Sequence, residues 1–189
     1  ALTTGGDNVA VGTQALSGDT KGSRSVAIGQ GALYTQNFTT ATNAYNIAVG
    51  FDAGVYLTTG TQNTLIGGLS GDALTDADGN VAVGYASLTA NVLGSNSVAI
   101  GRNALNAQNP ATATDMYNVA VGNNCGEAIT TGVQNTLVGG LVGDALTTGF
   151  ANVAVGGGAT YAALGSDTKG KFSTAIGFGA LTAQNFTTE

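Results

Sequence analysis

Few residues in this chain have the type and spacing that chemistry needs. There is no His and one Cys in 189 residues, so transition-metal sites and most nucleophilic triads lack their parts. Gly165-Ser166-Asp167-Thr168-Lys169-Gly170-Lys171 has the spacing of a phosphate-binding loop through its Lys. The next residue is Phe172 rather than the Ser or Thr that would ligate Mg²⁺, and a strand-like block follows instead of a helix. Gly18-Asp19-Thr20-Lys21-Gly22 is a related stretch in a similar place, which marks both as repeat filler. Asp76-Ala77-Asp78-Gly79-Asn80 suggests a calcium loop but lacks the Gly at its sixth position and the bidentate Glu at its twelfth. Its counterparts, Thr4 to Asn8 and Thr148 to Asn152, do not keep the acids, so a polar turn is the better reading. The other carboxylates are scattered singly and form no acid/base pair. Cys125 stands 72 residues after Ala53 and reads as a small buried residue. No catalytic, cofactor-binding or metal site is expected, and the chain does not read as an enzyme.

The aromatic residues are the remaining candidates. Tyr45 and Tyr117 occupy equal positions before Asn46 and Asn118, which predicts a structural stacking role. Phe38 and Phe186 share a loop register, with Pro110 in the equivalent place; Phe150, Phe172 and Tyr161 have no counterparts. Loop packing is the simpler reading of these rings, with contact to a glycan the alternative. Asn37-Phe38-Thr39 and Asn185-Phe186-Thr187 fit the glycosylation acceptor pattern.

Composition narrows the scaffold that holds these residues. Charged residues are 8% and Gly supplies 31 of 189, against roughly a quarter charged and about 7% Gly in ordinary domains. Too few charges are available for the outer faces of a helical bundle. Gly does not recur at every third residue, which excludes collagen. A hydrophobic content of 43% with a net charge of −6 does not match disorder. The acidic balance, with no basic cluster longer than Lys169 to Lys171, argues against nucleic acid. No apolar run reaches transmembrane length.

The chain is a repeat. Asn or Ser, a β-branched residue, Ala or Leu, Val or Ile, then Gly recurs ten times, closing at Gly12, Gly29, Gly50, Gly67, Gly84, Gly101, Gly122, Gly139, Gly156 and Gly177. The spacings are 17 or 21 residues, and four of them together make a longer repeat of 72. The super-repeats run about 12–83, 84–155 and, partially, 156–189 within one segment, 1–189. Both ends fall inside a repeat, which predicts a piece of a longer fibre.

In an extended block such as Ser25 to Gly29, Val26 and Ile28 share a face and Ala27 points the other way. The closing Gly suits a positive φ or close backbone approach. A second short strand is predicted at Ala15-Leu16, Ala32-Leu33, Ser87-Leu88, Ala104-Leu105 and Ala180-Leu181. Stacked coils, about 4.8 Å apart, give an all-β parallel solenoid of about ten coils, roughly 48 Å long, with two short sheets. The thin roll is expected to bury the Val/Ile face. The central residues, Ala10, Ala27, Ala48, Leu65, Ala82, Ala99, Ala120, Leu137, Ala154 and Ala175, are then left as a stripe for contact between identical chains. The alternative is that this stripe packs inside a wider single-chain solenoid.

Ser25-Val26-Ala27-Ile28-Gly29 and Ser97-Val98-Ala99-Ile100-Gly101 resemble the head repeats of trimeric autotransporter adhesins. Asn-x-Ala-Val-Gly-x-x-Ala-Leu, at Asn8 to Leu16, resembles repeats in bacteriophage tail and virion fibres. The resemblance covers nearly the whole chain and implies a left-handed parallel β-roll assembled as a homotrimer. The coils are longer than the adhesin repeat, and the 72-residue order is more like a modular shaft. The expected function is a structural segment of a virion fibre, a rigid shaft supporting host attachment. Its partners would be itself, other fibre or virion proteins, and a host receptor or glycan bound through other regions. A bacterial surface adhesin is the alternative. An ice-binding solenoid is a remote third, disfavoured because Thr clusters in loops and changes rank.

Overall fold

A computed structural model describes residues 4–157 and 171–180. Ten three-residue strands, Val9–Val11, Val26–Ile28, Ile47–Val49, Thr64–Ile66, Val81–Val83, Val98–Ile100, Val119–Val121, Thr136–Val138, Val153–Val155 and Thr174–Ile176, form one parallel sheet in chain order. Register is set residue by residue, so Val9, Ala10 and Val11 pair with Val26, Ala27 and Ile28, and each coil repeats this on the next. The ten ranks bound about nine turns of a parallel β-solenoid, and no helix occurs among the described residues.

The predicted second sheet is not a sheet. Ala15-Leu16, Ala32-Leu33, Ser87-Leu88 and Ala104-Leu105 lie in turns, as does Ala180, while Leu181 falls outside the described residues. Leu16, Leu33, Leu88 and Leu105 have φ near +50°, and a left-handed residue in every coil breaks an extended run. Inter-coil bonding survives there as single links, including Leu16 N–H to Ala32 O and Leu88 N–H to Ala104 O, both at 3.0 Å. The 21-residue coils add two small parallel pairs, Gly22–Ser23 with Thr42–Asn43 and Gly94–Ser95 with Thr114–Asp115.

The closing glycines behave as expected. From Gly12 to Gly177 all ten have φ between 109° and 145°. A Cβ on Gly12 would stand 2.7 Å from the backbone of Gly29, and on Gly84 2.6 Å from that of Gly101. Both the torsion and the stacking distance require Gly.

The inside and outside of the sheet are reversed from the sequence expectation. Ala27, Ala48, Leu65, Ala82, Ala99, Ala120, Leu137, Ala154 and Ala175 are buried within the single chain, and only Ala10, in the first rank, is exposed. The opposite wall explains the inversion. Leu16, Leu33, Leu88 and Leu105, at the left-handed corners, and Leu57, Leu74, Ile129 and Leu146, nine residues after a central strand position, belong to the same buried core. With those large side chains inside, the central strand position has room for Ala. Leu65 and Leu137 fit because Gly71 and Gly143, the corner residues of their own coils, supply no side chain.

A polar column runs beside this core. Asn46, Asn63, Asn80, Asn118, Asn135 and Asn152, each just before a strand, are buried. The Oδ1 of each accepts the backbone N–H of the ladder residue one coil on, as in Asn63 to Asn80 at 3.0 Å. The Nδ2 donates to a carbonyl, as from Asn63 to Ala77 O at 2.8 Å. Two donors and acceptors that burial would leave unpaired are thereby satisfied in each coil. Ser25 and Ser97 interrupt the column, and each is followed eleven residues later by a buried Gln, Gln36 or Gln108. Gln36 Nε2 lies 3.3 Å from Ser25 Oγ, and Asn46 Nδ2 donates to Gln36 Oε1 at 2.8 Å. Gln108 joins Ser97 to Asn118 in the same way, so a glutamine carboxamide splices each break.

Candidate interaction surface

The outer face of the ten-stranded sheet is built from the first and third residue of every strand. In order these are Val/Val, Val/Ile, Ile/Val, Thr/Ile, Val/Val, Val/Ile, Val/Val, Thr/Val, Val/Val and Thr/Ile. None of the twenty is buried, and Ile28, Ile47, Ile66 and Ile100 are each 38% exposed. No charged side chain lies within the strands of this face. Nine inter-strand steps at about 4.8 Å make it roughly 43 Å long.

Two columns border the face. One, immediately before the ladder residue, holds Asp7, Arg24, Tyr45, Gln62, Gly79, Asn96, Tyr117, Gln134, Ala151 and Phe172. The other, immediately after the closing Gly, holds Thr13, Gln30, Phe51, Gly68, Tyr85, Arg102, Asn123, Gly140, Gly157 and Phe178. Tyr45, Tyr117 and Phe172 on the first border, and Phe51, Tyr85 and Phe178 on the second, are exposed. Tyr45 does stack within its column: the Arg24 guanidinium lies 5.6 Å from its ring centroid and donates to its hydroxyl at 2.6 Å. Tyr117 instead donates to Asp115 Oδ2 at 3.3 Å. Arg24 also approaches Asp7 at 3.7 Å, an exposed ion pair of small energetic weight.

The acids, the thiol and the loop rings serve as structural parts. Asp76 accepts from the hydroxyls of Thr58 and Thr59 one coil below, at 2.8 and 2.6 Å, and these bonds hold its carboxyl below the usual range. Asp78 accepts from Thr61 N–H and hydroxyl. Both acids brace the loop column, and no group of metal-ligating side chains occurs among the described residues. Cys125 is buried with its Sγ 3.4 Å from Leu137 O, and burial pushes its thiol up to about 12. Phe38 and Pro110 are buried in equivalent loops, in keeping with loop packing. Of the loop Gly165 to Lys171, only Lys171 lies among the described residues; its ammonium is 5.3 Å from the Phe150 ring centroid. Tyr161, Asn185 and Phe186 fall outside them.

Asp144 is half-buried, and its Oδ1 is the one buried side-chain oxygen or nitrogen among the described residues without a hydrogen-bond partner. Burial raises its carboxyl above the usual range, and Glu127, one coil below, adds to the rise. It is a local cost of stacking two acids, Asp144 over Glu127.

No family model, curated protein or solved structure matches the chain.

The feature that sequence reasoning misplaced is therefore the most informative one. Sequence alternation told which residues share a face; the Val/Ile/Thr face is the one turned outwards. The signal for this was present in the pairing of Leu65 with Gly71 and Leu137 with Gly143, six residues apart. Each large central residue coincides with Gly at the corner of its own coil and of the coil before, Gly71 and Gly54 for Leu65 and Gly143 and Gly126 for Leu137, as residues sharing one interior must.

Proposed function

We propose that this chain is a structural segment of a bacteriophage fibre, a stiff homotrimeric shaft that holds a host-attachment region away from the virion. The observation that carries the reading is the unbroken outward Val/Ile/Thr face over ten ranks. The Val/Ile/Thr strip, about 10 Å across and roughly 43 Å long, is on the order of 430 Å², and the two bordering columns widen the contact to at most about 20 Å, on the order of 850 Å². Isolated soluble chains seldom expose apolar patches of more than a few hundred Å², and a stable interface buries about 800 Å² per partner. The strands of the face carry no charge to recognise, so a repetitive partner of the same period suits it. A second copy of the chain supplies that period. Continuous inter-coil bonding along one axis then gives a rod that resists bending, which is what a shaft requires.

The resemblance of Asn8 to Leu16 to virion-fibre repeats directs the reading to a phage. The two Ser-Val-Ala-Ile-Gly runs favour a second reading, a bacterial surface adhesin in which the same trimeric roll binds a host matrix. Mass spectrometry of purified virions tests the choice. Peptides of this chain in the particle support the fibre, and their confinement to bacterial outer membranes would replace it with the adhesin.

A further inference from the structure

Gln30, Phe51, Gly68, Tyr85 and Arg102 follow the closing Gly of five successive coils and so stand in one line parallel to the solenoid axis. We propose that this line binds an extended, neutral, β-1,4-linked polysaccharide, with Phe51 and Tyr85 as the platforms on which its sugar rings stack. The inference goes beyond the shaft reading, because the repeat itself would grip a polymer along its length. It rests on the geometry of the single chain and not on the oligomeric state.

The middle residue of the line is a glycine that the fold does not require. Gly68 is absent from the positive-φ residues, and a Cβ there would meet its neighbours at ordinary contact distances, 3.6 Å from Tyr85 Cδ2 and 3.9 Å from Phe51 O. The closing glycines, by contrast, are forced by both torsion and stacking. What the missing side chain does at position 68 is leave room between two rings. The Tyr85 ring reaches over that glycine towards Phe51, and the two residues are 57% and 53% exposed. The equivalent line 72 residues on runs Arg102, Asn123, Gly140 and Gly157 and carries no ring, so neither aromatic residue is demanded by its place in the coil.

Spacing and chemistry select the ligand. The two rings are attached two coils apart, about 9.6 Å along the axis, which is close to the advance of two sugars in an extended β-1,4-linked chain. Successive sugars of such a chain are flipped, so every second one presents the same face, and rings at every second coil meet like faces. The C–H bonds of a sugar face are positively polarised, and the face of an aromatic ring is negative. Gln30 and Arg102, both exposed, carry the line on at either end with amide and guanidinium donors for sugar hydroxyls. Arg102 is held in place by bonds to Asn123 Oδ1 at 3.1 Å and Asn124 Oδ1 at 3.3 Å. A net charge of −6 opposes an anionic polymer. A polyproline helix has a similar period, but it docks in aromatic-lined grooves and offers no hydroxyls to the two polar ends.

Isothermal titration with cellohexaose, a soluble β-1,4-glucan, tests the site, with its curled α-1,4 isomer maltohexaose and a polyproline peptide titrated alongside. Phe51→Asn and Tyr85→Gly install the residues that stand at the equivalent places 72 residues on, Asn123 and Gly157, so both variants should fold, as circular dichroism will show. The expected result is that the wild type binds cellohexaose in preference to the other two, and that each variant binds it about tenfold more weakly or worse. Equal affinity for maltohexaose, binding of the polyproline peptide in its place, unchanged affinity in both variants, or no binding at all overturns the inference. Light scattering of the same samples keeps it apart from the shaft reading. A trimeric mass without binding overturns the polysaccharide site and leaves the trimer standing, whereas binding by a monomeric protein overturns the trimer and leaves the site.

Discussion

Leu65 occupies the space that Gly71 leaves empty. A Cβ built on Gly71 would stand 2.8 Å from Leu65 Cδ2 and 2.8 Å from Leu74 Cδ1. In the next coil the sizes are exchanged, with Ala82 at the centre of the strand and Leu88 at the corner, both fully buried. One interior therefore accepts either pair but not two large residues together. Gly71→Leu should destabilise by about 1–3 kcal/mol through overpacking, and Leu65→Ala by about 2–5 kcal/mol through the cavity it leaves. The double variant rebuilds the pattern of the following coil. Denaturant unfolding should find it more stable than the sum of the two singles by at least about 1 kcal/mol, the size of coupling seen between contacting residues. Simple additivity would contradict the exchange.

The asparagine column predicts a second set of effects. Asn63→Ala leaves the Asn80 N–H and the Ala77 carbonyl without their partners. Each unpaired buried group costs about 1–3 kcal/mol, so thermal unfolding should show a loss on the order of 3 kcal/mol. Gln108→Leu should also destabilise, because Asn118 Nδ2 donates to Gln108 Oε1 at 2.9 Å. Adding Ser97→Asn restores an amide at the break, as in the coils led by Asn46 and Asn63, which carry Leu57 and Leu74 at the equivalent place. The double variant should recover most of the loss, and no recovery would show that the glutamine has a different role.

Cys125 should be inert in the folded protein. Burial raises its thiol to about 12, so at neutral pH almost none is thiolate, the reactive form. Iodoacetamide labelling followed by mass spectrometry should show modification only when denaturant unfolds the chain. Rapid labelling of the native protein would contradict the burial.

Asp144 supplies a pH dependence. Its folded pKa is raised by burial and by Glu127, so the folded state holds this proton to higher pH than the unfolded chain does. Its contribution to stability is therefore present below the ordinary carboxyl range and is lost as pH rises through the raised value. Asp144→Asn should raise Tm at about pH 8, with a gain that shrinks as pH falls towards about 4. An equal gain at both pH values would show that charge is not the cause.

The period was legible in the sequence, and so were the strands, the turn glycines and the parallel stacking, because Gly and the Val/Ile alternation recur at fixed spacing. The direction of the sheet was not. Alternation over three residues assigns Val26 and Ile28 to one face and Ala27 to the other, but it does not say which face is interior. That depends on Leu33, at a left-handed corner, and on Leu57, both entering the core from segments that are not strands and carry no alternation to mark an inward side. The splice between Ser97 and Gln108 was likewise hidden. Its signal is a coincidence of two residue types eleven apart, repeated at Ser25 with Gln36 and at Ser173 with Gln184. The interface shifted accordingly, from the Ala column to the residues on either side of it.

The outward Val/Ile/Thr face as the contact between chains is the central claim, and neighbouring residues on opposite faces of one strand test it. Ala99 is fully buried and Ile100 is 38% exposed. Light scattering and circular dichroism on Ile100→Glu and Ala99→Glu should separate assembly from folding. Ile100→Glu should retain the β-sheet spectrum and give the mass of a single chain, while Ala99→Glu should lose the spectrum altogether. A wild type already monomeric, or an Ile100→Glu protein that keeps the wild-type oligomeric mass, would contradict the account.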